Sequence, residues 1–175
     1  MSVIFVVTGG PGFGKTTLVR ALEQRGFYCA YDAASDYIAR LLKEGKPYDT
    51  TSTEFNEQVA KLRVKQYESA PPNKVCFFDR GIPDCLAYID DNQLKKSLLA
   101  LGRAYRYKNP IFVAPPWREI FESHKGRQES YDEGVRLHKR IMKIYIDLGY
   151  EVVLLPKSSV VERVRFVLTR IKQRS

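Results

Sequence analysis

The chain has 175 residues, 44% of them hydrophobic, and a formal net charge of +9 at neutral pH. This length suits one domain, residues 1–175, and the apolar content suffices for an ordinary core, so no second domain is needed. No run approaches the roughly 18 apolar residues of a membrane-spanning helix. The three cysteines form no C-x-x-C pair, which argues against a disulfide framework or a cysteine metal site. We therefore expect a soluble, cytoplasmic protein.

The positive charge raises the question of a nucleic-acid partner, because basic surfaces gain affinity by releasing counterions from a phosphate backbone. A protein that binds polyanionic nucleotides needs cations as well. Here lysine and arginine are spread over several segments and form no single basic tail. Nucleic-acid binding stays open as a hypothesis, but the charge does not favour it.

The chain begins with a strand and a glycine-rich loop. Residues 3–7 form a continuous β-branched and aromatic run, typical of a strand that is covered on both faces in a parallel sheet. Residues 9–16 match the P-loop pattern G-x-x-x-x-G-K-[ST], and an apolar helical segment follows them. The alternative is a glycine-rich turn without a ligand.

In a P-loop, glycines let several backbone N–H groups point at phosphates. Lys15 would reach the β- and γ-phosphates, and Thr16 would join Mg²⁺. The candidate nucleotide-binding residues of the loop are Gly9, Gly10, Pro11, Gly12, Phe13, Gly14, Lys15, Thr16 and Thr17.

A second short strand and two helices follow. The strand covers residues 27–31, and the next helix runs over 33–43. A longer amphipathic helix opens at Thr51, where Glu54 completes the spacing of a capping box. We interpret the basic residues of this helix as a solvated face, with a substrate clamp as the alternative. They are Lys61, Arg63 and Lys65.

The segment 74–79 is the second informative stretch, since an apolar run closes on Asp79 and is followed by Arg80. This is the form of a Walker B element, in which the carboxylate holds Mg²⁺ directly or through water. Four apolar residues before an aspartate are common by chance, so the interpretation depends on the P-loop upstream. It predicts Thr16 and Asp79 as the metal-binding residues.

Residues 82–88 and 93–101 have helical patterns, separated by an acidic turn at 90–92. The segment 103–108 interleaves basic and aromatic residues before a fourth strand at 111–114. It would either stack a nucleobase between its tyrosines or pack a helix end against the sheet. The sequence leaves both interpretations open.

A polar, cationic segment at 123–130 follows the fourth strand and a short helix. Phosphoryl transfer must exclude water, and an arginine over the γ-phosphate neutralises charge as the bond breaks. We therefore predict a lid here, with Arg127 as the arginine that lies over the γ-phosphate. The alternative is that Arg127 is an ordinary loop arginine. A helix over 131–148, a strand over 151–155 and a last helix, with Arg163 outside its apolar stripe, complete the chain.

With these motifs in place, the chain resembles a family of small P-loop proteins, the AAA-domain ATPases, which are related to the ribosylnicotinamide-kinase part of NadR and to nucleoside and nucleotide kinases. The residues that carry the resemblance are 9–16, 77–84, 127–130, 155–156 and 159–164. The resemblance covers nearly the whole chain. It implies ATP and Mg²⁺ binding and a three-layer α/β P-loop fold, with helices flanking five parallel strands in the order 2-3-1-4-5. It does not imply a substrate.

Two departures from the family pattern bear on the mechanism. The family often has Glu-Ala-Ala-Arg after the second strand, where residues 32–35 here are Asp-Ala-Ala-Ser. In the similar nucleoside kinases a carboxylate at this place accepts the hydroxyl proton during transfer, so the resemblance implies Asp32 as the base. The lid has His124, Lys125 and Gly126 where relatives tend to be acidic, which adds positive charge near the phosphates.

These observations predict a Mg²⁺-dependent, kinase-like enzyme that transfers the γ-phosphate of ATP to a small nucleoside- or nucleotide-like acceptor. The predicted catalytic residues are Lys15, Asp32, Asp79, Arg80 and Arg127. A purine base would lie against the turn that holds Pro156 and Ser158. The alternative is a regulatory module that hydrolyses bound ATP or GTP slowly and is recognised by a protein or an acidic surface. The chain lacks an N-K-x-D base-reading motif, which argues against a GTPase switch.

Overall fold

The computed structural model describes residues 2–121 and 129–173, and in them strands and helices alternate. The strands are β1 Val3–Thr8, β2 Tyr28–Ala30, β3 Val75–Asp79, β4 Ile111–Val113 and β5 Val152–Leu154. The helices are α1 Lys15–Glu23, α2 Ala33–Lys43, α3 Thr53–Glu68, α4 Asn92–Ala104, α5 Tyr131–Asp147 and α6 Val160–Lys172, with 3₁₀ helices at Ile82–Ala87 and Arg118–Ile120. In this described part, none of the helices has the length and apolar character needed to cross a bilayer.

The five strands form one parallel sheet in the order β2-β3-β1-β4-β5, which confirms the expected fold. The central strand β1 is buried along nearly its whole length, as a continuous β-branched run favours. Its register with β3 sets Val7 opposite Asp79. Because the carboxyl ends of parallel strands meet at one edge of a sheet, the loop after β1 and the carboxylate that ends β3 lie side by side.

Apolar layers cover both faces of the sheet, because alternate residues of a strand point to opposite sides. On one face Val6 belongs to a cluster with Ile141 of α5. On the other face Val7 belongs to a cluster with Leu18 of α1 and Val164 of α6. A third cluster joins α3, α4 and the 3₁₀ helix Ile82–Ala87. This last cluster fixes α3 next to the segment that follows Asp79.

The start of α3 differs from the prediction. Ser52, not Thr51, caps the helix, and its hydroxyl accepts a hydrogen bond from the Phe55 N–H at 3.2 Å. Thr51 is engaged elsewhere, because its hydroxyl donates to Asp49 at 2.7 Å. Either Thr51 or Ser52 could cap the helix, and Ser52 does so because the turn at Asp49 binds the Thr51 hydroxyl.

The segment 103–108 packs against the sheet. The Tyr107 side chain is buried, its hydroxyl accepts from the Ile82 N–H at 3.1 Å, and its ring contacts Tyr67 and Phe78. Arg106 lies over the Tyr150 ring at 3.8 Å from its centre. Packing is therefore the confirmed interpretation for Tyr107, whose ring has no free face for a nucleobase.

Candidate functional site

The P-loop joins β1 to α1 along a backbone path that depends on glycine. Gly9 has a φ of 126°, and a Cβ there would lie 2.5 Å from the carbonyl oxygen of Ala114, just after β4. Gly14 has a φ of 80° and is the N-cap residue of α1. Residues with side chains are strained in this left-handed region. The loop can therefore approach β4 closely and still begin a helix.

The N-terminus of α1 is open to an anion. No side chain caps this helix, and its first turn contains no acidic residue. The first N–H groups of a helix have no partner within the helix, and the positive end of the helix dipole attracts negative charge. The loop and helix together thus form a cradle suited to phosphate groups.

Lys15 is buried at the start of α1 and uses a backbone partner. Its Nζ donates to the Gly10 carbonyl oxygen at 2.7 Å. Burial, together with the positive charge of Arg80, lowers the pKa of Lys15 to about 7. A buried ammonium is stabilised by a neighbouring anion, so a phosphate in the cradle would favour the charged form of this side chain.

Phe13 anchors the loop in the core. Its side chain is buried, and its ring centre lies 5.9 Å from that of Tyr131 and 6.3 Å from that of His138. Only the backbone of Phe13 is therefore available to a nucleotide. The loop residues that line the main cavity of the site are Pro11, Gly12, Lys15 and Thr16, while Thr17 is exposed on the first turn of α1.

Thr16 and Asp79 meet where β1 and β3 end. The Thr16 hydroxyl donates to Asp79 Oδ2 at 2.6 Å, and Asp79 Oδ1 is buried without a hydrogen-bond partner. Burial raises the pKa of Asp79, and the nearby Lys15 opposes this shift. A buried carboxylate oxygen without a partner, next to a hydroxyl oxygen, provides the hard oxygen donors that Mg²⁺ prefers. The pair therefore fits the predicted metal ion.

Arg80 lies between the P-loop and the rest of the cavity. Its φ of 75° is in the left-handed region, which costs energy for a residue with a side chain and often marks a functional position. Nη1 donates to the Gly9 carbonyl oxygen at 3.1 Å and to Asp84 Oδ1 at 3.0 Å, and Nε lies 3.6 Å from Asp32 Oδ2. The guanidinium therefore links the P-loop to both carboxylates.

Asp84 is a buried carboxylate that the sequence interpretation left without a role. It accepts hydrogen bonds from the Thr8 hydroxyl, from Arg80, from the Gly81 N–H at 3.0 Å and from the Tyr145 hydroxyl at 2.7 Å. A buried charge needs such partners to be tolerated. No local pattern identifies the whole of this role, because the Thr8 and Tyr145 donors come from β1 and α5.

Asp32 pairs with Arg63, an arginine for which the sequence predicts a solvated position. Arg63 of α3 is buried, and its Nη2 donates to Asp32 Oδ1 at 3.1 Å. The prediction for Arg63 is wrong because a partner lies on α2. Burial alone would raise the pKa of Asp32, but the positive charges of Arg63 and Arg80 outweigh it and hold that pKa below its usual range. The carboxylate therefore stays ionised.

A cavity of about 410 Å³, here called the central cavity, connects these groups. Its walls come from the P-loop, from α2 and α3, and from the residues after β3. The charged and large apolar side chains that line it include Lys15, Asp32, Ile38, Leu42, Phe55, Val59, Arg63, Asp79, Arg80 and Glu129. The P-loop thus contributes a phosphate cradle to the cavity, and the other elements contribute apolar side chains and a paired carboxylate.

Arg163 of α6 contacts the P-loop, although the helical pattern had put it outside the apolar stripe. Its Nη1 donates to the Gly14 carbonyl oxygen at 3.0 Å, and its guanidinium lies 5.7 Å from the centre of the Trp117 ring. The prediction for Arg163 is wrong because this side chain is buried together with Val164 and Val167, where Nη1 reaches a carbonyl of the loop.

Two other predicted features are the turn that holds Pro156 and Ser158 and the lid that holds Arg127. Pro156 and Ser158 line a separate groove of about 560 Å³ along α6. Among the described residues, this groove shares no lining residue with the central cavity, and a role of the turn in binding a base stays a prediction. Arg127 lies outside the described residues, as do residues 123–128 of the expected lid.

Comparisons with known proteins agree with this fold. A family model described as an AAA domain matches residues 4–163. A sequence search of curated proteins gave no match. Among solved structures, the chain is similar to NadR protein in complex with NR, with a TM-score of 0.73 and 20% identity over 98% of this chain and 51% of that one. It thus spans about half of the NadR chain.

Two kinases are similar over nearly their full lengths. Deoxyadenosine kinase from M. mycoides, with products dCMP and a flexible dCDP bound, has a TM-score of 0.70 and 14% identity over 99% of this chain and 100% of that one. Thymidylate kinase from Ehrlichia chaffeensis has a TM-score of 0.64 and 13% identity over 97% and 98%. At these identities the likeness concerns the fold. Because the family model covers most of its length, the chain belongs to the AAA-domain family and has the P-loop fold that these kinases share.

Proposed function

We propose that this protein is an ATP-dependent phosphotransferase that uses Mg²⁺ and transfers the γ-phosphate to a small nucleoside- or nucleotide-like acceptor. One observation carries the proposal: the walls of the central cavity extend beyond the P-loop to α2 and α3 and include the paired carboxylate of Asp32. Hydrolysis needs room only for a nucleotide and water, whereas transfer needs a second compartment that positions an acceptor. The similarity to deoxyadenosine kinase and thymidylate kinase supports the same choice.

On the nucleotide side, the N–H groups of the P-loop and the Lys15 ammonium would hold the phosphates. Thr16 and Asp79 would hold Mg²⁺, which when bound neutralises charge on the phosphate oxygens. The buried Asp79 oxygen without a partner supports this assignment. Pro156 and Ser158 would lie against the base.

On the acceptor side, Asp32 would accept a hydrogen bond from the acceptor hydroxyl. Its lowered pKa makes it a weak base, so its main contribution is to orient the hydroxyl. Phosphoryl transfer tolerates a weak base, because positioning and electrostatic stabilisation supply most of the catalysis. Arg80 would stabilise charge on the transferred group, and Arg127 would do so from the lid.

A product screen tests this proposal. Purified protein is incubated with Mg-ATP and, separately, with nucleosides, nucleotides and sugars, and phosphorylated product is followed by mass. We expect one chemical class of acceptor to yield product. Lys15→Ala protein, prepared in the same way, is the control for a contaminating kinase and should yield none.

The same screen separates the two functions that the sequence left open. A regulatory module predicts slow hydrolysis that no added compound accelerates, with product retained on the protein. That result, together with the absence of any phosphorylated acceptor, would overturn the proposed transfer.

A further inference from the structure

The charges around the central cavity bear on which acceptor it takes. In the described part of the chain, three cations and three anions line it. They are Lys15, Arg63 and Arg80, and Asp32, Asp79 and Glu129. A further carboxylate, Asp84, pairs with Arg80 from behind. Once Lys15 is assigned to the nucleotide, the cavity has no surplus of positive charge.

The Arg63 guanidinium is already engaged by the protein. Nη1 donates to the Gly81 carbonyl oxygen and to Cys85 Sγ, both at 3.1 Å, and Nη2 donates to Asp32. Its side chain is only 4% exposed. A phosphate on the acceptor would have to displace these partners, and a buried carboxylate that loses its partner carries a large penalty.

The Arg80 guanidinium is held in the same way. Nη1 is shared between the Gly9 carbonyl oxygen and Asp84, and Nε faces Asp32. This side chain is only 6% exposed. The two arginines that could bind a second phosphate are thus both neutralised by carboxylates within the protein.

The same cavity suits a neutral acceptor that carries a hydroxyl group. The Asp32 side chain remains 18% exposed, and an ionised carboxylate accepts hydrogen bonds but donates none. Four apolar side chains of α2 and α3 line the same cavity, namely Ile38, Leu42, Phe55 and Val59. A ring would find apolar contact there while its hydroxyl donates to Asp32.

We propose that the acceptor is an uncharged, hydroxyl-bearing compound with an apolar ring face, of the nucleoside class, and not a nucleoside monophosphate. This inference rests on the proposed phosphotransfer and narrows its substrate. In the step, the acceptor hydroxyl oxygen bonds to the γ-phosphorus of ATP, and the bond from that phosphorus to the β–γ bridging oxygen breaks. ADP leaves, and the hydroxyl proton passes to Asp32 and then to water.

The test compares each nucleoside with its own monophosphate. With Mg-ATP and the full chain, we expect a nucleoside whose kcat/KM is about 100-fold above that of its monophosphate, because the added phosphate would have to displace the carboxylate partners of Arg63 and Arg80. In parallel, calorimetry measures the binding of both compounds in the presence of Mg²⁺ and a non-hydrolysable ATP analogue. The nucleoside should bind more tightly.

Faster transfer to monophosphates would overturn this inference and leave the proposed phosphotransfer standing. No transfer to any compound would overturn the phosphotransfer, and calorimetry then decides the inference separately. Tighter binding of the nucleoside would still support a cavity for a neutral compound. Tighter binding of the monophosphate, or no binding of either, would overturn it.

Asp32→Asn provides a second measurement, because it removes the carboxylate that pairs with Arg63 and faces Arg80. We expect about tenfold tighter binding of the monophosphate, since the Arg63 guanidinium loses its pair with Asp32, while Arg80 keeps Asp84. Asp36→Asn, at an exposed position of α2, makes the same charge change away from the cavity and should leave binding as it is. Equal monophosphate affinity in both variants would contradict the proposed neutralisation.

Discussion

The two sides of the candidate site are built in different ways. The nucleotide side is one contiguous loop whose binding groups are mostly backbone N–H, completed by Lys15 and by Asp79 from the neighbouring strand. The acceptor side consists of side chains from separate elements, such as Asp32 and Arg63, which are 31 residues apart and meet at 3.1 Å. Substitution alters side chains directly, whereas backbone N–H groups can be altered only by changing the path of the chain. We therefore expect the two sides to respond independently to substitution.

Lys15→Ala disrupts the nucleotide side and has the largest expected effect. It removes the cation next to the cradle, and electrostatic contacts to a transferring phosphoryl group supply much of the catalysis, so turnover should fall by about 1,000-fold. ATP affinity, measured by calorimetry, should fall with it. Lys61→Ala, at an exposed position of α3, is the matched control. Unchanged ATP affinity in Lys15→Ala would show that the P-loop is not the nucleotide site.

Asp32→Asn disrupts only the acceptor side. Loss of the ionised carboxylate that orients the acceptor hydroxyl should lower kcat by about 100-fold, while the dissociation constant for ATP changes by less than about twofold because the P-loop is intact. Asparagine can still cap α2, as Asp32 does through the Ala34 N–H at 3.2 Å, so the fold should persist. Transfer kinetics and ATP calorimetry check both parts. Transfer at the original rate would remove Asp32 from the mechanism.

Arg163→Ala tests whether ATP binding by the P-loop depends on a residue of α6. The guanidinium holds the Gly14 carbonyl oxygen at 3.0 Å, so its loss should loosen the loop and weaken ATP binding by about fivefold, in line with one charged hydrogen bond. Binding of the acceptor should not change. Lys172→Ala, which removes an exposed positive charge from the same helix, serves as control. Equal ATP affinity in the two variants would mean that the loop holds its shape without α6.

The smallest expected effect is a loss of folding stability in acid, caused by His138 next to the P-loop residue Phe13. His138 lies against Phe13, its Nδ1 is buried without a partner, and burial lowers its pKa from 6.5 to about 4. In this pH range His138 is protonated in the unfolded chain but not in the folded chain. The free energy of unfolding therefore falls as the pH drops from 6.5 towards 4. Between about pH 7 and pH 5.5 this loss amounts to about 1 kcal/mol.

Urea unfolding of the original protein and of His138→Gln at both pH values measures this loss. The variant lacks the titrating ring and should lose less stability in acid. Asp32 should not contribute in this range, because its lowered pKa keeps it ionised. An equal acid loss in both proteins would mean that other groups cause it.

Much of the fold could be predicted because its signals are local. A strand buried on both faces must be apolar throughout, and a turn with positive φ must have glycine, so β1, the P-loop and the range of α2 follow from short windows of sequence. Arg63 and Arg163 could not be placed in this way. A basic residue outside an apolar stripe has the same pattern whether its partner is water, a carboxylate or a carbonyl oxygen.

The sequence by itself predicted a phosphate cradle and a metal-binding carboxylate, because both depend on residue types at fixed spacings along one strand–loop–helix unit and its neighbouring strand. Only the tertiary structure decided how the charges beyond the cradle are paired. Asp32, Arg63, Arg80 and Asp84 come together from α2, α3 and the segment after β3. Whether an arginine is free for a second phosphate depends on these contacts, which no spacing in the sequence encodes.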